Sequence, residues 1–444
     1  MPTPPTVTAT PAVGLIDTPI AVTIEGLAPR SLVTVEATVV IPDTTTWRSR
    51  VAYVADSAGR IDLDRDTPVF GDFLVPDAEG LLWALAADPE SPVRPSNARF
   101  VNSGLADYTV EITASVNDEL VATTTIVRQP VHGTVSRTEV REDGLYGTLF
   151  TPEGTGPFPT IIVVPGSDGG VPEPIAALYS SHGYAALALA YFNAPEPGFL
   201  PPTLTEIPLE YFGTAIDWLE RRPELDTSTL TISGTSRGGE LALLLGSSYP
   251  QIKSVLAWVP SAYVNGGMGP DDVEAGRSAW TRNGEPVPYA QRWTGSRPTQ
   301  ETRDGVQVFA INSLRNFQDR EQHAAAEIPV ENISGPILFI AGEDDLLWPG
   351  ATYSRWAIER LEAHGFAHEV EFLSYPNAGH TIGPNGNPAT VLGTSELPGA
   401  DPAKQVGPIH LGGTPQGIAA ARQDAWPRVL AFLERHTALG AEPS

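Results

Sequence analysis

Residues 231–246 read TISGTSRGGELALLLG. Four residues of strand character run into a glycine-bounded turn, and an apolar helix pattern follows. Gly234, Ser236 and Gly238 form a G-x-S-x-G elbow in the strand–turn–helix context that such an elbow requires. The spacing has a mechanical reason. A serine lifted onto a strained turn at the carboxyl end of a strand needs neighbours without a Cβ two residues before and after it. The helix that follows then aims its free N-terminal N–H groups at developing negative charge. A chance glycine-rich turn would need neither flanking element, so Ser236 is the candidate nucleophile.

Outward from this stretch, strands alternate with helices. The segments "TIIVVPG", "YAALALAYF", "SVLAWVP" and "PILFIAG" are continuous apolar runs, suited to strands buried on both faces. Between and after them lie helix patterns such as "EYFGTAIDWLERRPEL", "ATYSRWAIERLEAHG" and "AAARQDAWPRVLAFLERH". The alternation predicts a mostly parallel sheet with helices on both faces over 131–444, and with the elbow on one of its strands the expected domain is an α/β-hydrolase. The rhythm breaks at 266–331, where Arg, Gly, Pro, Asn and Gln dominate, and an irregular insertion over the strand ends is expected. Residues 1–130 differ in grammar. "IAVTIEGL", "LVTVEATVV", "WRSRVAYVA", "YTVEITASV" and "LVATTTIV" are short runs rich in Val, Ile and Thr, several of them alternating. They predict an all-β, immunoglobulin-like sandwich, with a hairpin turn at Asn117 and Asp118.

A serine nucleophile needs a base, and the base needs an orienting acid. On this fold the chain order is Ser, acid, His. His380 lies in "YPNAGHTIG", directly after the strand pattern "EVEFLSY", and is the expected base. His364 and His436 sit at helix ends, His323 in the irregular insertion and His410 in a Gly/Pro loop; His368 is the remaining downstream histidine. "GEDDLLWP" places Glu343, Asp344 and Asp345 just past a buried strand. Asp345 is the expected acid, with Asp344 and Glu343 as alternatives. An oxyanion hole takes one backbone N–H from the residue after the nucleophile, Arg237, and one from the loop after an early strand. In "VVPGSDGG" that donor is Ser167, with Gly166 and Asp168 within one residue of register. No metal-binding motif and no phosphate-cradling glycine loop occurs, so no metal or cofactor is expected.

Composition narrows the partners. The 444 residues carry 53 acidic and 27 basic side chains, a net charge of −26. Nucleic acid and anionic membrane surfaces both demand a basic footprint, so neither is an expected partner. There are no cysteines, which excludes disulfides, thiolate metal sites and a cysteine nucleophile. No apolar run reaches the roughly 18 residues of a membrane span. The opening "MPTPPTVTATPAVG" has neither a basic cluster nor a long apolar core, and a cytoplasmic location is expected.

Long ordered strings in this chain resemble the acyl-CoA thioesterase and bile acid-CoA:amino acid N-acyltransferase family. In the first domain these are "LIDTPIAVTIEGLAP" and "AYVADSAGRIDLDRDTP"; in the second, "GTLFTPEGTGPFPTIIVVPGSDGG", "GTSRGGE", "IPVENISGPILFIAGEDDLLWP" and "YPNAGH". The resemblance implies a Ser or Cys–Asp–His triad, which maps onto Ser236, Asp345 and His380. It also implies an acyl-enzyme formed from an activated donor, usually a coenzyme A thioester. The family commonly carries Lys after its nucleophile, where this chain has Arg237. An acyl-thioester hydrolase is therefore the expected function, and a carboxylic-ester hydrolase on the same triad is the alternative. Acyl transfer to an amino acid, or an inactive binding protein, ranks lower. Arg277, Arg282, Arg292, Arg297 and Arg303 are candidates for a basic patch that would receive coenzyme A.

Overall fold

The computed structural model describes residues 4–40, 46–88, 104–268, 276–290, 302–303, 306–307, 320–384, 388–389 and 410–437. The chain divides into two compact units. One comprises Met1–His132, Pro384–Leu392 and Thr414–Ala420; the other comprises Gly133–Gly383, Gly393–Gly413 and Ala421–Ser444.

The first unit is built from strands. Thr6–Thr10, Ala21–Glu25 and Ile61–Asp62 form one sheet. A second sheet runs in the order Val13–Leu15, Glu119–Gln129, Tyr108–Val116, Leu32–Val40, Thr46–Val54, Phe70–Gly71. Along Leu32–Val40 every second residue, Val33, Val35, Ala37 and Val39, is fully buried, the period of a strand with one face on a core. The hairpin turn falls at Asn117 and Asp118, with φ of 50° and 64°. Two positive φ values in a two-residue loop match the right-handed twist of the flanking strands.

The second unit holds an eight-stranded sheet. Its strands are β1 (Ser136–Val140), β2 (Tyr146–Thr151), β3 (Phe158–Val164), β4 (Ala185–Ala190), β5 (Leu225–Thr235), β6 (Ser254–Trp258), β7 (Ile337–Gly342) and β8 (Val370–Tyr375). Their order is β1-β2-β4-β3-β5-β6-β7-β8. β2 is antiparallel to both neighbours, and every pairing from β4 onward is parallel. The helices between and after the strands are α1 (Glu173–Ser181), α2 (Glu210–Glu220), α3 (Arg237–Ser248), α4 (Gly350–Ala363) and α5 (Pro415–His436), the last belonging to this unit from Ala421 onward. All residues of β4, β6 and β7 are buried, so these strands are covered on both faces. This is the α/β-hydrolase fold.

Register sets where the site can form. Val164 pairs with Gly234, Thr235 with Trp258, Trp258 with Ile340, and Gly342 with Tyr375. The carboxyl ends of β3, β5, β6, β7 and β8 therefore finish along one edge, and the segments after them meet there. The stretch expected to be irregular contains short strand pairs. Trp280–Arg282 lies parallel to Ile207–Pro208 and antiparallel to Glu285–Pro286, and Thr302–Arg303 pairs with Val306–Gln307. Trp280 is fully buried, and this apolar anchor explains the order there. Arg292 and Arg297, and the side chain of Arg303, lie outside the described residues.

Candidate active site

The elbow is as tight as its glycines suggest. Ser236 has φ 60° and ψ −119°, a region that L-residues occupy at a cost. It is held from both sides. Its N–H donates to the Trp258 carbonyl at 2.9 Å, and its carbonyl accepts from Glu240 N–H at 3.0 Å to start α3. A Cβ on Gly234 would stand 2.1 Å from the Gly238 carbonyl oxygen, and one on Gly238 2.5 Å from the Pro165 carbonyl oxygen. Both are closer than any real contact, so neither position admits a side chain.

Three side chains from three different strand ends meet here. His380 Nε2 lies 2.9 Å from Ser236 Oγ, and His380 Nδ1 lies 2.7 Å from Asp345 Oδ2. Asp345 Oδ1 accepts the N–H groups of Leu347 at 3.0 Å and Trp348 at 3.2 Å, so its other oxygen is left to orient the imidazole. All three residues are buried, and the Asp345 side chain is only 1% exposed. The Trp348 ring meets the His380 ring edge-on at 5.8 Å, and its Nε1–H is tied to the Val259 carbonyl at 2.9 Å.

The alternative residues are occupied elsewhere. Glu343 is taken by Arg355 and by the Ser374 hydroxyl. Asp344 Oδ2 accepts Gly413 N–H at 3.1 Å. His364 Nδ1 sits 2.9 Å from the Arg360 carbonyl at the end of α4. His436 lies 3.2 Å from Glu369, His323 is in a 3-10 turn, and His368 packs on Phe366. His410 accepts Gly412 N–H on Nδ1.

The two backbone donors expected for an oxyanion sit beside the elbow. Arg237 is the first residue of α3, whose opening N–H groups have no acceptor within the helix. The loop after β3 lies against it, since a Cβ on Gly166 would stand 3.5 Å from the Ser236 Cβ. Ser167 follows directly. The loop is fixed by Tyr191, whose hydroxyl donates to the Pro165 carbonyl at 2.9 Å, and by Asn193, whose Nδ2 donates to the Asp168 carbonyl at 3.0 Å.

Two features of the site have no local sequence signal. The first is a strap, His410–Gly413. The Leu411 carbonyl accepts His380 N–H at 2.8 Å and Leu346 N–H at 3.4 Å, and Gly412 forms a β-bridge with Asp345. Arg422 adds to it by donating to the carbonyl of Thr381, next to His380, at 2.9 Å; burial draws its guanidinium down to about 10. The second lies beneath the elbow. The Arg237 side chain does not reach toward the serine; it is buried and paired with Glu240 at 2.9 Å. Burial pushes the Glu240 carboxyl up, against the opposing pull of Arg237, Asn265 and Trp280. Glu240 looks like an ordinary polar helix position in the sequence; only the long-range partners Asn265 and Trp280 reveal it. Of the arginines considered for a basic patch, Arg277 is ion-paired with Glu206, and Arg282 reaches the Ser248 carbonyl. Among the described residues no group of three or more His, Asp or Glu side chains is placed to hold a metal ion.

Comparison with known proteins gives consistent matches in order along the chain. The model of the acyl-CoA thioester hydrolase/BAAT N-terminal region matches residues 17–142, and that of the BAAT/acyl-CoA thioester hydrolase C terminal matches residues 207–439. Human acyl-coenzyme A thioesterase 1 is 32% identical over 424 residues, covering 95% of this chain and 94% of that protein. Mouse acyl-coenzyme A amino acid N-acyltransferase 1 is 30% identical over 436 residues, covering 96% and 97%. Among solved structures, dienelactone hydrolase from Anabaena variabilis covers 68% of this chain and 99% of its own, at 15% identity and a TM-score of 0.36. With both family models matched and relatives above 30% identity across nearly its whole length, the chain belongs to the acyl-CoA thioester hydrolase/BAAT family of enzymes.

Proposed function

We propose that the protein hydrolyses acyl thioesters, with an acyl-CoA as donor, through an acyl-Ser236 intermediate. The observation that carries this reading is the continuous chain from Ser236 Oγ through His380 to the buried Asp345. In it, His380 Nε2 takes the Ser236 proton as Oγ attacks the thioester carbonyl carbon. The negative charge moves onto the carbonyl oxygen, where the Arg237 and Ser167 N–H groups receive it. The C–S bond breaks, and His380 returns its proton to the departing sulfur. A thiol is a good leaving group, with an ordinary pKa of about 8.5 for cysteine against about 16 for water. Water then enters, His380 deprotonates it, and a second tetrahedral intermediate collapses to free acid and Ser236.

The serine supports hydrolysis over amino-acid conjugation. An acyl-serine is an oxyester, which amines attack far less readily than a thioester, and the chain has no cysteine. Product analysis with glycine and taurine present tests this: free acid is expected, and conjugate in comparable yield would overturn it. The acid excess, together with the engagement of Arg277 and Arg282 by other groups, favours a second reading, a carboxylic-ester hydrolase. Incubation with a panel of acyl-CoAs and simple esters separates the two. Mass spectrometry is expected to find acyl-Ser236 from thioesters. Turnover of esters with none of any thioester would move the assignment to the second reading.

A further inference from the structure

The cluster beneath the elbow joins both sides of the oxyanion site to one buried ion pair. Glu240 is completely buried on the first turn of α3. Its carboxylate accepts from Arg237 at 2.9 Å, from Asn265 Nδ2 at 2.8 Å and backbone N–H at 3.2 Å, and from Trp280 Nε1 at 3.0 Å. Arg237 also donates to the carbonyls of Gly266 at 3.1 Å and Asn265 at 3.3 Å. The Trp280 ring stands 5.5 Å from that of Tyr191, whose hydroxyl holds the Pro165 carbonyl, two residues before Ser167. Thus one contiguous set of side chains grips the residue that supplies one donor and the loop that supplies the other.

We infer that the buried Glu240–Arg237 pair, with Tyr191 and Trp280, is a positioning device that sets the distance between the Arg237 and Ser167 N–H donors. A buried charge pair suits such a task because it has steep geometric demands. Removing one member leaves the other uncompensated, and the surrounding groups must move. The inference rests on Ser236 being the nucleophile. Glu240 and Arg237 act through the backbone, and their side chains do not touch the reacting atoms.

The test counts active sites by the endpoint of fluorophosphonate labelling and expresses kcat per labelled site. In Glu240→Gln one oxygen becomes an NH2, and either orientation sets donor against donor, with Arg237 and Asn265 Nδ2 on one side or with Trp280 Nε1 and the Asn265 N–H on the other. In Arg237→Met the carboxylate loses its cation. Both variants are expected to lose about 10–100-fold in kcat with KM within about twofold, the scale of a misplacement near 1 Å. Affinity for an alkyl boronic acid, which mimics the tetrahedral species, is expected to fall by the same factor. Arg237→Lys keeps the ion pair and is expected to restore most of kcat. A purely structural role would lower the melting temperature and the number of labelled sites, while kcat per site stayed within twofold of the parent; that outcome overturns the inference. Should both variants fail to fold, Tyr191→Phe removes only the hydroxyl on Pro165. A several-fold loss of kcat is then expected, and no loss overturns the inference. Hydrolysis retained by Ser236→Ala would instead sink the nucleophile assignment itself. An inert Ser236→Ala beside parental Glu240→Gln and Arg237→Met would remove only the positioning role.

Discussion

Ser236 holds a backbone torsion that costs about 1–3 kcal/mol, and the ladder bond to Trp258 and the start of α3 maintain it. The strain lifts Oγ to His380, so its removal should cost activity and not fold. Ser236→Ala is expected to lower kcat by about 10⁴-fold or more, with the melting temperature unchanged or raised. Asp345→Asn tests the tautomer. Its Oδ1 would still accept from Leu347 and Trp348, so the new amide nitrogen would face Nδ1. The imidazole proton would then sit on Nε2, which could no longer take one from serine; a loss near 10⁴-fold in kcat is expected. Glu343→Gln, two residues away, is expected to leave kcat within about twofold, since its partners are Arg355 and Ser374 on the surface. The meeting of Ser236, Asp345 and His380 was legible because each follows a segment of strand character: an apolar run before Asp345, and mixed Thr-, Ile- or Val- and aromatic-containing segments before Ser236 and His380. Glu240 was not, because Asn265 and Trp280 come from segments whose approach no local pattern encodes.

At the scale of elements, β3, β4, β6 and β7 were the most legible: a strand covered on both faces reads as a nearly uninterrupted apolar run. The strap at His410–Gly413 was illegible, since a single bridge to Asp345 and one bond to His380 leave no periodicity behind. The strap also has the narrowest clearance near the site. Gly412 has φ 79°, and a Cβ there would stand 1.7 Å from the Asp344 carbonyl oxygen. Gly412→Ala must therefore push the strap away from the acid loop and shift His380 against Ser236. A drop of about 10²-fold in kcat is expected, as for a misplacement near 1 Å, while the sheet keeps its circular dichroism. Parental kcat in this variant would show that the strap does not set the histidine. The insertion has no strand signature in the sequence because the strand pairs among its described residues are only two or three residues long, too short for alternation to register.

At the scale of the whole molecule, the net charge of −26 opposes a polyanionic donor. The Debye length falls from about 30 Å at 0.01 M salt to about 10 Å at 0.1 M, so salt should relieve that repulsion. KM for an acyl-CoA is expected to fall several-fold over this range, while KM for a neutral ester of the same acyl chain stays level. An acyl-CoA KM that rises with salt would point instead to a cationic receiving surface. Ser236, Asp345 and His380 all stand at the common edge on which β3, β5, β6, β7 and β8 finish, and none of them stands at the opposite edge. Ala367 lies exposed there, in the turn that leads from α4 into β8. In a chain without cysteine, Ala367→Cys would be its sole thiol. Coupled to a maleimide surface through that one atom, the enzyme should anchor by the end of the sheet away from Ser236, and turn over as it does when free.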